Sequence, residues 1–168
     1  MAKINFEIGD SFQNAVNYDL TILCGHIGLN SLGATYKDFK RNYNFNVENP
    51  FLDLDKVFTL YTENKQIVFL SENENHGIND SELVTLLIEI LTKANSLGIK
   101  SILFNGVSNI DKGMNTQDNV ESDDKRVRLM VEFIKFYLTN FQTSITEFNF
   151  IDLKDSYTRL YPNSIYID

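Results

Sequence analysis

One cysteine, two prolines and no apolar run of bilayer length set the first limits on this 168-residue chain. Cys24 alone cannot close an internal disulfide, and the amino-terminal residues lack the basic-then-apolar pattern of a secretion signal, so a cytoplasmic setting is expected. A membrane helix needs about 18 or more consecutive apolar residues; none occurs, and no membrane contact is expected. The scarcity of proline and the lack of low-complexity tracts argue against linkers and disordered arms, so residues 1–168 read as a single domain. A chain of this size buries roughly 70% of its unfolded surface and needs no staple.

Positive charge is also scarce. Fifteen Lys and Arg stand against 23 Asp and Glu, a net charge of −8. No basic stripe is present to release counterions from phosphates, so DNA and RNA are not expected partners. The densest basic cluster, Lys125, Arg126 and Arg128, follows Asp123 and Asp124 and reads as a solvated helix face. One Cys and two His make no zinc constellation, and the carboxylates show no metal-binding spacing, so neither metal nor cofactor is expected. The G-x-G-x-x-G fingerprint and the P-loop lysine are missing as well.

What is present is an alternation of strands and helices. Lys3–Ile8 has the period of two of a half-buried strand and is expected at the outside of the sheet, whereas Tyr18–Cys24 is continuously apolar and belongs inside it. Thr35–Tyr43 has helical spacing. Val57–Thr62 and Gln66–Ser71, separated by a tight turn, form a hairpin. Asn79 and Glu82 resemble a capping box that opens a helix from Ser81 to Leu97, with Gly98 placed as its left-handed terminator. Ile99–Asn105 is a strand, and Ser122 with Asp123 and Asp124 marks the start of a second long helix whose apolar face runs from Val127 to Phe141. Ile145–Leu153 supplies a last strand, and Lys154–Asp168 carries no period that assigns it a structure. This order implies an α/β fold with a mixed, mostly parallel central sheet and helices on both faces.

Two strands empty into glycine-bearing segments, Gly25–Gly33 and Gly106–Gly113. Glycine lets a backbone approach a ligand and turn N–H groups toward anionic oxygens, so paired segments of this kind point to a phosphate or nucleotide. If the two strands are parallel neighbours, the segments lie side by side beyond their carboxyl ends, where ligands of such folds bind. His26 is the histidine within the first segment and a candidate acid or base near neutral pH. Asn30, Asn105 and Asn109 are amides placed to meet ribose hydroxyls or to form turns, and Asp10 fits an Asx-type turn at a strand end. Asp111, Asp118, Glu121, Asp123 and Asp124 make the second segment acidic, which opposes a bound diphosphate.

Taken together, Phe6-Glu7-Ile8-Gly9-Asp10, the unit Asp19–Gly33, the strand Lys100–Asn105 with Gly106–Gly113, and Glu147–Asp152 resemble the segments of a macrodomain, a three-layer α/β/α fold that binds ADP-ribose. The resemblance implies that Asp10 contacts the adenine amine, that Gly25, Gly28, Asn30 and Gly33 border the distal ribose, and that Gly106, Val107, Ser108, Asn109 and Ile110 hold the phosphates. It implies a small-molecule nucleotide partner. Members that hydrolyse ADP-ribosyl bonds carry an Asn-rich run where this chain has Cys24-Gly25-His26-Ile27-Gly28. Hydrolysis of an ADP-ribosyl ester or a phosphate therefore stays open, with His26 as its candidate catalytic residue. The family's adenine-stacking aromatic is replaced by Ile151 and Asp152, with Phe150 and Tyr157 nearby. Two alternatives stand beside this reading: a non-enzymatic module meeting a protein partner through Tyr36, Phe39, Tyr43 and Phe45, and another nucleotide-binding or signalling α/β protein.

Overall fold

Ile4, Phe6 and Ile8 alternate with Lys3, Asn5 and Glu7, the period a sheet demands, and Ala2–Ile8 is strand β1 in the computed structural model. The structure describes residues 1–28, 31–32, 57–62, 65–72, 80–105 and 116–168. Along them follow a short helix α1 (Ser11–Asn14) that runs into a 3-10 turn (Ala15–Asn17), then β2 (Leu20–Gly28), β3 (Ser31–Leu32), β4 (Val57–Thr62) and β5 (Lys65–Glu72). Helix α2 (Asp80–Ser96), β6 (Ser101–Asn105), helix α3 (Thr116–Asn140), β7 (Glu147–Asp152) and β8 (Ile165–Ile167) complete the described chain.

The strands line up as β4-β5-β2-β6-β7-β1-β8, with β3 attached to β2. From β5 to β1 all neighbours are parallel, and the outer strands β4 and β8 run antiparallel. Right-handed crossovers then fix the layers. Through α2 and through α3 the chain steps toward the β8 side, whereas from β1 to β2 it steps back past α1, so α1 lies on the opposite face from the two long helices. Burial agrees. Leu83, Leu87, Ile90 and Leu91 of α2 and Val127, Met130, Val131 and Ile134 of α3 share one core with Ile4, Leu20, Ile22, Ile102, Phe104, Phe148 and Phe150, while Tyr18, Leu103 and Ile151 cluster on the other face. The expected mixed, mostly parallel sheet with helices on both faces is the architecture of the chain.

Three expectations need correction. β1 is not the outermost strand, because the tail returns as β8 and pairs Ile165, Tyr166 and Ile167 with Ile4, Lys3 and Ala2. Tail residues bury at irregular intervals, which hides them from periodicity: Tyr157 is fully buried 5.0 Å from the Phe150 ring, and Tyr161 stacks on Phe6 at 4.9 Å. Helix α3 starts at Thr116, six residues before Ser122, since nothing from 116 to 121 breaks a helix and Asp118 already supplies negative charge near its start. Arg126 is not solvated. It lies on the helix face of Met130 and Ile134, only 4% exposed, with Nε 3.4 Å from Asp80 Oδ1 at the start of α2. Asn79 and the helix expected over Thr35–Tyr43 lie outside the described residues.

Polar groups on the α1 face are satisfied in a connected set. Asn5 Nδ2 donates to Asn149 Oδ1 at 2.6 Å and to Glu147 Oε1 at 3.2 Å, Asn149 Nδ2 donates to the Tyr18 hydroxyl and to Glu7 Oε1, and Ser164 Oγ donates to Asn5 Oδ1. Burial, reinforced by the Glu7 and Glu147 carboxylates and opposed by the Asn149 hydrogen bond, pushes the Tyr18 hydroxyl up to about 12. The folded value lies above the unfolded one of about 10, so this stabilisation is complete below about pH 10 and is lost toward about pH 12. Tyr18→Phe should reduce the late tyrosinate absorbance by one tyrosine's share and flatten the fall in unfolding free energy across that window by up to about 2 kcal/mol. Helix α2 ends in a Schellman turn: Ile99 N–H donates to Ala94 O at 3.0 Å, Gly98 N–H to Asn95 O at 3.1 Å, and Gly98 has φ of +69°. A Cβ at Gly98 would meet no atom within 4 Å, so Gly98→Ala should cost about 1 kcal/mol from backbone strain alone, read by denaturant unfolding.

Candidate functional site

All five parallel strands deliver their carboxyl ends to one rim. Parallel pairing of β2 with β6 sets the centre of that rim: Leu20 faces Ile102 and Leu23 faces Asn105. Asp19 pins the other end of the pair, its Oδ2 accepting from Lys100 N at 3.0 Å and Ser101 N at 3.3 Å while its own N–H donates to Ser101 Oγ. From these adjacent carboxyl ends the chain departs in opposite directions, from β2 toward β5 and from β6 toward β7. Neighbouring strands that diverge in this way leave a crevice between their connections.

Sequence reasoning placed Gly25–Gly28 in a loop, and the structure corrects this. Gly25 and His26 continue β2 and pair with Ser71 and Glu72 of β5, and Ile27 and Gly28 pair with Leu32 and Ser31 of β3. A partner strand was available on the β5 side for longer than the local pattern revealed, because β5 runs on to Glu72. β6, by contrast, ends at Asn105 opposite Leu23, so Cys24–Gly28 overhangs it. Glycine within a strand marks close approach by other backbone or ligand, and Gly25 and Gly28 fall on this overhang.

The turn after β1 forms the other end of the rim. Gly9 N–H donates to Asp152 O at 2.8 Å, and a Cβ on Gly9 would stand 3.1 Å from Ile151 Cδ1, so a side chain there would press on the β7 residue below. Asp10 is half-buried, and its carbonyl accepts from Asn14 N at 3.2 Å and Asn14 Nδ2 at 2.8 Å. Ser11 is 1% exposed, and its Oγ accepts from Asn105 Nδ2 at 2.6 Å. Sequence reasoning missed Ser11, for which no local signal exists. Its partner lies 94 positions away. The Asn105 amide, read as a ribose contact, is engaged within the protein.

Asp10, Gly25, His26 and Gly28 therefore sit along one rim, while Asn30, Gly33, Gly106, Val107, Ser108, Asn109 and Ile110 lie outside the described residues, as do Tyr36, Phe39, Tyr43 and Phe45. Of the acids expected around the second glycine segment, Asp118, Glu121, Asp123 and Asp124 belong to α3, and Asp124 pairs with both terminal nitrogens of Arg159. Phe150 and Tyr157 are fully buried in the core and present no ring to the rim. Among the described residues no group of three His, Cys, Asp or Glu can hold a metal ion, and no helix is long and apolar enough to cross a membrane.

A mostly parallel sheet with this strand order, flanked by helices, defines a three-layer α/β fold. More particularly, the fold is that of the macrodomains, as the sequence resemblance implied. The macro domain of ganglioside induced differentiation associated protein 2 aligns with a TM-score of 0.64 at 15% identity, over 96% of this chain and 83% of that one. The Trypanosoma brucei macrodomain aligns in its complex with ADP at 0.64 and 12% identity, and in its complex with ADP-ribose at 0.63 and 13%. These alignments cover 93% and 94% of this chain and 67% and 68% of theirs. No family model and no curated protein matches the sequence.

The Gly9 contact can be tested by a paired substitution. Gly9→Ala should cost about 1 kcal/mol in denaturant unfolding, and less than half of that in an Ile151→Val background, where the opposing Cδ1 is gone. Equal cost in both backgrounds would mean that Ile151 is not what the added methyl meets.

Proposed function

We propose that the protein binds ADP-ribose or a closely related nucleotide along the carboxyl rim, with the diphosphate over the β2–β6 crevice. One observation carries the reading: two parallel neighbours diverge at that crevice, on a fold whose Trypanosoma brucei example was solved with ADP and with ADP-ribose. Asp10 reads the adenine amine at the β1 end, and Gly25 and Gly28 border the distal ribose at the β2 end, where no side chain of theirs intervenes. The segment from Gly106 to Ile110 leaves the end of β6 and contributes phosphate contacts, with the α3 amino-terminal dipole behind it favouring the negative charge. From β1 to β2 is three strand spacings, roughly 14 Å. That span suits an extended ligand with two groups joined through a diphosphate better than a mononucleotide.

Two supports come from electrostatics and chemistry. Of the five acids that oppose a diphosphate, Asp124 is neutralised by Arg159, which relieves part of the objection raised by the acidic second segment. Recognition by backbone N–H groups and a single carboxylate asks for no metal and no cofactor. If hydrolysis accompanies binding, His26 is the residue placed to move a proton, since β2 carries it onto the overhang.

Calorimetric titration with ADP-ribose tests the reading. Saturable heat is expected at micromolar to millimolar ligand, and Asp10→Ala should weaken binding about tenfold. Absence of heat at millimolar ligand would overturn it.

A further inference from the structure

Ser11 is a polar residue at a place where packing alone would favour an apolar one. It is 1% exposed, and its hydroxyl is met at 2.6 Å by the amide of Asn105. Burying a hydroxyl costs free energy that a well-formed hydrogen bond only offsets, so such a pair contributes direction more than stability. The direction here is specific. Backbone ladders already tie β1 to β7 and β7 to β6, but they end at Ile8 and at Asn105. The Ser11–Asn105 bond extends the connection past the ladders, from the residue after Asp10 to the last residue of β6.

We propose that Ser11 and Asn105 are positioning residues that fix Asp10 relative to the β6 end, so that the site selects a ligand carrying adenine and diphosphate in one extended molecule over the adenosine half alone. The inference rests on the nucleotide-binding reading and deepens it. Neither side chain touches the ligand. Their bond sets the spacing at which both ends of the rim engage at once, and its loss lets the Asp10 turn move against β6, which penalises only ligands that span the two.

Calorimetric titrations of the full chain with ADP-ribose and with AMP test this in wild type, Ser11→Ala, Asn105→Ala, the double variant and Ser11→Thr. Each alanine variant should weaken ADP-ribose about tenfold and AMP by less than about twofold; the double variant should lose no more than either single one, and threonine, which keeps the hydroxyl, should restore selectivity. Asn105 is partly exposed, so Asn105→Ala carries the same expectation should Ser11→Ala fail to fold. Equal losses for the two ligands, or additive losses in the double variant, overturn the positioning role and leave nucleotide binding standing. A wild-type protein that takes up no ADP-ribose overturns both.

Discussion

The pairing of β2 with β6 is the constraint from which the candidate site follows. Asp19 and Ser101 exchange hydrogen bonds at its start, three residues before Ile22 and Phe104 enter the core, and this fixes the register. Register in a parallel pair decides where each strand stops relative to the other. Here it leaves Cys24–Gly28 projecting beyond Asn105, and the projection is what opens the rim. A slip by one residue would send Leu20 and Ile22 to the face now held by Thr21 and Leu23, so the core and the overhang are specified by the same few bonds.

The two faces of the sheet serve this rim differently. Below the long helices lies a dry core in which Phe104, Phe148, Phe150 and Tyr157 contact one another, with ring centroids between 4.9 and 6.4 Å apart. The α1 face is thinner and more polar. Asn149, almost fully buried, links Asn5, Glu7 and Tyr18, and Tyr18 clusters with Leu103 and Ile151. Control of the Asp10 turn therefore comes through hydrogen bonds more than through bulk.

Much of the fold was legible because it rests on local periodicity. Leu83, Leu87, Ile90 and Leu91 repeat at helical spacing, Gly98 ends that helix in the left-handed conformation its position implied, and β4 and β5 pair antiparallel as expected, with β5 beginning at Lys65, one residue before the expected Gln66. The candidate site was legible only in outline. Asp10 and the glycines of β2 lie on the carboxyl rim, yet Gly25 and Gly28 look like loop residues until their partner strands β5 and β3 are known, since composition cannot show that Ser71 and Ser31 reach them to pair. Ser11 with Asn105, Arg126 with Asp80 and Tyr157 with Phe150 are bonds or contacts between residues 7 to 94 positions apart. Arg126 misled for a related reason: charge suggested solvent, while its place one turn before Met130 set it on the apolar face.

Mapping backbone amide shifts on addition of ADP-ribose addresses the β2–β6 crevice most directly. Saturable changes are expected at Asp10, along Cys24–Gly28 and at Asn105, all on the carboxyl rim, with the opposite rim at Asp19 and Ser101 unmoved. Changes confined to that opposite rim or to the outer surface of α3, or none at saturating ligand, would contradict a nucleotide site at the diverging strands.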